Sequence, residues 1–168
     1  MLTALKNIKT MIETAIVEEG YEGKNRLIRS QKPIKIIHEE VKKEIINYGI
    51  NPDRIKPALT KSAGELKIYG FFKAKDQDVA IIPSGINPQE EFLREGLLTG
   101  KKCPFGADYT ERIISINVRS QLSSLAKNFD TLYERTFAET LNLHMRCKKM
   151  ILGEVYMIPV FEYDSDAC

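Results

Sequence analysis

The sequence predicts a mixed α/β domain whose core elements follow the order α-β-β-β-α-β, with one more helix at the N-terminus. Two observations carry this. Residues of about 31–48 and 130–144 repeat apolar side chains at three- and four-residue steps, the period of a helix with one buried face. The segments 65–73, 78–82, 112–119 and 150–160 are alternating or rich in aliphatic residues and are bounded by turn formers, the pattern of strands.

Leu2, Leu5, Ile8, Ile12, Ala15 and Ile16 predict the first helix, which Gly20 and Gly23 are expected to end. A basic connector runs from Lys24 to Lys32. Pro33 suits the first turn of the next helix, where the missing N–H costs no hydrogen bond. Ile34, Ile37, Val41, Ile45 and Tyr48 trace its buried stripe, and Gly49 is its stop. Leu66, Ile68, Gly70 and Phe72 share one side of the first long strand, and Ala74 to Gln77 is the expected hairpin turn. Asp78-Val79-Ala80-Ile81-Ile82 is then a buried strand. Asn87-Pro88-Gln89-Glu90 reads as a helix start, with Asn as N-cap and Pro first in the helix, and this short helix is expected to end by Gly100. Lys101 to Asp108 reads as a loop. Asp130 is placed to cap the second long helix. Met150 to Val160 is the last strand, and Phe161 to Cys168 reads either as an ordinary polar tail or as the end of a truncated or naturally shortened domain.

At 168 residues with 43% hydrophobic content, one domain spanning 1–168 with a real core is expected, comprising the helix and connector at 1–30 and a core at 31–163. The net charge of +2 neither demands nor excludes nucleic acid. The charge is uneven, however: residues 24–61 hold ten Lys or Arg against four acids, which is either a solvated helix face or a phosphate-binding surface. Three unevenly spaced cysteines and two histidines argue against a disulfide framework and a zinc site and for a reducing, cytoplasmic setting. No apolar run of about 20 residues is present to span a bilayer.

Walker, dinucleotide, zinc-protease and nucleophile-elbow motifs are missing, so no nucleotide cofactor is expected and carboxylate chemistry remains. Asp78 opens an apolar strand, either as a functional acid or as a turn residue, and Asp76 is its alternative. Asn117, Arg119 and Gln121 share one face of the third strand by its period of two. Glu134 and Glu139 lie on the second long helix, and Glu154 lies in the last strand.

Ser115 to Glu139 (SINVRSQLSSLAKNFDTLYERTFAE) and Met150 to Val160 (MILGEVYMIPV) resemble segments of bacterial type II restriction endonucleases, in the PD-(D/E)xK nuclease superfamily. The resemblance covers roughly residues 31–163. It implies a restriction-endonuclease-like core and Mg²⁺-dependent, sequence-specific hydrolysis of double-stranded DNA by a homodimer. It puts the first acid at Asp78, although Gln77 stands where the family has Pro. Asn117-Val118-Arg119 occupies the place of the acid-x-Lys pair. Family variants move the second acid to the following helix, which Glu134 matches, or replace the Lys by Gln, which Gln121 matches. Asp78 and Glu134 are then the Mg²⁺ ligands, with Arg119 or Gln121 beside the attacked phosphate. Lys32, Lys35, Lys56, Lys61, Lys73 and Lys75 are the expected phosphate contacts, and the first helix is an expected part of the dimer face. The departures from the motif leave a second expectation, a DNA-binding or scaffold domain of the same fold that does not cleave, and a third, an interaction module that does not bind nucleic acid.

Overall fold

The structure, a computed structural model, describes residues 1–61, 63–123 and 125–161. Helices α1 (Leu2–Arg29) and α2 (Lys32–Asn47) lead into strand β1 (Ile55–Lys56), and a hairpin follows, β2 (Leu66–Tyr69) with β3 (Ala74–Gln77). Next come β4 (Val79–Ile81), the short pair β5 (Glu91–Phe92) and β6 (Lys102–Cys103), helix α3 (Gly106–Thr110), β7 (Ile114–Ser120), α4 (Leu125–His144) and β8 (Ile151–Met157).

The main sheet has four strands in the order β1-β4-β7-β8. The first two pairings are antiparallel, with Ile55 opposite Ile81 and Val79 opposite Ile116. β8 lies parallel to β7, Asn117 opposite Glu154, and α4 makes the crossover that a parallel pair requires. With α1, α3 and the two small hairpins set aside, the order is α2-β1-β4-β7-α4-β8, but the first core strand is β1 at 55–56 rather than the expected 65–73, which lies outside the main sheet in the β2–β3 hairpin.

Each face of the sheet has its own core. On one side Val79, Val118 and Met157 pack with Ile37 and Val41 of α2 and Ile8 of α1. On the other, Ala80 packs with Tyr109, Ile113, Leu143, Cys147 and Met150, below α3 and the end of α4. At ~25 cal/mol per Å² of apolar area buried, these two layers rather than helix propensity hold α2 and α4 on the sheet.

Three expected elements differ. The helix of residues 2–29 bends at Gly20 (φ 60°, ψ −144°) but resumes at once, so the basic connector is helical as far as Arg29. The hairpin turn is 70–73, and 74–77 is a strand paired with 66–69. Asn142 of α4 sets that turn: its side-chain oxygen accepts from Phe72 and Lys73 N–H at 2.8 and 3.1 Å, and its own carbonyl accepts from Phe71 N–H at 2.7 Å. Residues 87–100 form no helix. Leu93 and Leu98 fold instead over Cys103, and Gly96, inside the expected span, adopts φ 76°, outside the range of regular helix. The reading of the C-terminal tail falls on 162–168, outside the described residues.

Candidate functional site

Asp78 stands at a break in the chain path. The β2–β3 hairpin delivers the chain to residue 77, and at 79 it enters the main sheet. Asp78 therefore sits where the ladder with β7 ends, and its carboxylate takes over the last bond, accepting from Val118 N–H at 2.8 Å. The side chain borders an open cleft of about 810 Å³ between the sheet and α2, shared with His38, Glu39, Lys42, Glu65 and Val118.

The cleft wall is braced from within. Lys42, whose side chain is only 1% exposed, donates to Glu39 at 2.7 Å and to the carbonyls of Ala58 and Lys61 at 3.3 and 3.1 Å. A buried ammonium survives only when its donors are matched, and all three of its contacts are acceptors. The other oxygen of Glu39 accepts from Thr60 N–H at 2.7 Å. The pair thus pins the loop 58–61 as one rim of the cleft, and Lys35 and Lys61 line the same cleft with exposed side chains. Burial lowers the pKa of His38 below its ordinary value; Lys42 lowers it too, while the nearby Asp78 carboxylate opposes the shift.

The opposite face of β7 carries a different polar group. Ser115 donates to Gln77 at 2.5 Å, Asn117 donates to Glu154 at 2.8 Å, and Arg119 Nε donates to the second oxygen of Glu154 at 3.1 Å. Glu139 of α4 receives both Arg119 and Lys75. Two cations and two carboxylates alternate, so the charges cancel under α4. Burial works against the charge on Arg119, but Glu139 and Glu154 outweigh it and raise its pKa. Asn117 Oδ1 is buried without a hydrogen-bond partner among the described atoms.

Strand period separates the expected site residues. Asp78 and Val118 border the cleft beside α2, whereas Arg119, one residue on, pairs with Glu139 of α4 and Glu154 of β8. The residues of β7 that share a face with Val118 are Ile114, Ile116 and Ser120, none acidic or basic. Asp78 and Arg119 are thus not brought together. The Gln121 side chain bonds the Ser123 carbonyl, and Glu134 is exposed on α4. Of the expected phosphate contacts, Lys32, Lys35, Lys61 and Lys73 are exposed and Lys56 is half-buried, while Lys75 is engaged by Glu139. Asp76, the alternative acid, pairs with Lys67 on the hairpin at 3.7 Å. His38, Glu39, Lys42 and Glu65 were not anticipated as site residues. The one sequence signal for them is polar residues at 38, 39 and 42, interleaved with the apolar stripe at 37 and 41.

Mg²⁺ requires several hard oxygen donors around one point. Both oxygens of Glu39 are taken by Lys42 and Thr60, and one oxygen of Asp78 by Val118. Among the described residues no three His, Cys, Asp or Glu side chains stand close enough to hold a metal ion. As arranged, the described residues do not fit an Mg²⁺ site. Among the described residues no helix is long and apolar enough to cross a membrane. The chain matches no protein-family model, no curated protein and no solved structure.

Proposed function

We propose that this chain is a double-stranded-DNA endonuclease of the type II restriction kind, acting with Mg²⁺ as a homodimer on a restriction-endonuclease-like core. The observation that supports this most is the sheet: two antiparallel pairings, then a parallel one across α4, with Asp78 at the break in the second core strand over an open cleft. The resemblance implies an α-β-β-β-α-β core with an acid opening its second strand, and this sheet supports that reading. The cleft's basic rim, Lys35 and Lys61, suits the phosphate backbone.

One observation favours the alternative, a domain of the same fold that binds DNA without cleaving it. Val118 and Ser120 stand on the Asp78 side of β7, where an acid and a lysine are needed, and Arg119 is neutralised by Glu139 and Glu154. Cleavage of unmethylated phage and plasmid DNA in Mg²⁺, with wild type beside Asp78→Ala, separates the readings. Discrete fragments from the wild type, lost in Asp78→Ala, are the expected result. A mobility shift insensitive to EDTA with no fragments selects the alternative. Neither cleavage nor a shift at low salt, where phosphate contacts are strongest, removes both.

A further inference from the structure

Helix α4 is held to the molecule unevenly along its length. Among its described residues, none from Asn128 to Leu141 is buried. Phe129, Tyr133, Phe137 and Leu141 are each more than half exposed, so these apolar groups already stand largely in water and do little to hold the helix down. Leu132, Thr136, Glu139 and Thr140 are half-buried. With Leu143 they recur at three- and four-residue steps, so they form the side turned to the sheet, and three of the four are polar. The end of α4 and the turn after it are packed differently. Asn142, Leu143 and Cys147 are buried. Leu143 and Cys147 join Ile68, Ala80 and Ile113 in the core, and Asn142 clasps the hairpin turn.

Polar side chains tie the stretch before Asn142 to the sheet. The Thr136 and Tyr156 hydroxyls hydrogen-bond. Glu139 takes Lys75 of β3 on one oxygen and Arg119 of β7 on the other. The Glu139, Arg119 and Lys75 side chains are 12%, 14% and 31% exposed, so water competes for the pairing and its net hold is small. Under the helix, on the row Ser115-Asn117-Arg119, Asn117 Oδ1 is buried with no partner among the described atoms. The closed arrangement therefore carries an unmatched acceptor, which water satisfies once the row is bared. Few buried apolar contacts and a partly hydrated tie are what a unit of low local stability has. We propose that residues 128–141 of α4 are a strap latched by Glu139 over the polar row of β7, and that the strap opens as a unit while 142–147 stays docked. In the open state Arg119 keeps Glu154, loses Glu139 and faces solvent together with Asn117.

Amide hydrogen exchange of the full chain tests the strap without DNA or Mg²⁺, so the strap and the endonuclease reading stand or fall separately. In the wild type the amides of 132–141 are expected to be protected about tenfold less than those of 143–147 and of α2. Glu139→Gln keeps the size of the side chain and removes its charge. It is expected to lower protection across 132–141 by about a further tenfold and to leave α2 unchanged. Tyr156→Phe deletes the other tie and is expected to act on the same stretch, about threefold. Glu134→Gln removes the same charge from an exposed position of the helix and is expected to change nothing. Wild-type protection of 132–141 equal to that of α2 or of 143–147 overturns the proposal, and this result does not depend on any variant folding. A Glu139→Gln chain that exchanges like the wild type overturns it too. So does a loss in Glu139→Gln spread evenly over α2 and 132–141, which would make Glu139 a part of the global fold and not a latch.

Discussion

His38 reports on the cleft more directly than any other residue. Its pKa is lowered, chiefly by burial and with Lys42 adding to it, against the pull of Asp78. The unfolded chain therefore binds more protons at this site than the folded one between the lowered value and the ordinary 6.5, and stability rises with pH across that window. His38's contribution is complete above the ordinary value and is lost as pH falls through 6.5 toward the lowered one. An NMR titration is expected to put the His38 midpoint below 6.5. In Asp78→Asn it is expected to fall further, because the carboxylate that favours the imidazolium is gone. A midpoint unmoved by Asp78→Asn would mean that the two side chains do not share the cleft. His144, the chain's second histidine, bonds the Met150 carbonyl at 2.9 Å.

At the scale of elements, the β2–β3 hairpin is held by a helix distant in sequence. Asn142 bonds the backbone of Phe72 and Lys73 through both ends of its amide, donating to the Lys73 carbonyl at 3.1 Å. Gly70 is required beneath it, because a Cβ there would lie 2.4–2.6 Å from the Asn142 side chain and carbonyl. Asn142→Ala strips the Phe72 and Lys73 N–H groups of their partner and leaves the Lys73 carbonyl only its Gly70 N–H, and is expected to cost about 2–3 kcal/mol, read from urea unfolding. Asn142→Asp keeps the acceptor and is expected to cost less. Equal losses would mean that packing, not the amide, holds the turn. The sequence alone put this turn at 74–77. The alternation of 66–77 fits a strand on either side of several turn positions, and only the contact with α4 selects 70–73.

For the molecule as a whole, the decisive question is whether the cleft side meets phosphate. Lys35 and Lys61 line it and are exposed, while Lys75, equally basic in the sequence, is committed to Glu139. Exchanging Lys35 and Lys61 together for Gln is therefore expected to weaken DNA binding for all sequences and to reduce the slope of log affinity against log salt by about 2. Lys75→Gln is expected to act through stability instead. An unchanged slope in the double variant would move the DNA surface elsewhere.

The sequence by itself marked helices at about 31–48 and 130–144 and strands at 78–82, 112–119 and 150–160, which the structure places at 32–47, 125–144, 79–81, 114–120 and 151–157, because apolar periodicity is local and survives without partners. It also marked Asp78 as an acid opening a buried strand. The tertiary structure alone decided which face of β7 looks toward Asp78. A strand has two faces that its sequence separates but does not assign, and pairing with β4 and β8 under two different helices puts Val118 beside Asp78 and Arg119 beside Glu139. The grouping of His38, Glu39 and Lys42 with Asp78 was illegible for the same reason: it joins a helix to a strand break forty residues away, and only packing sets that distance.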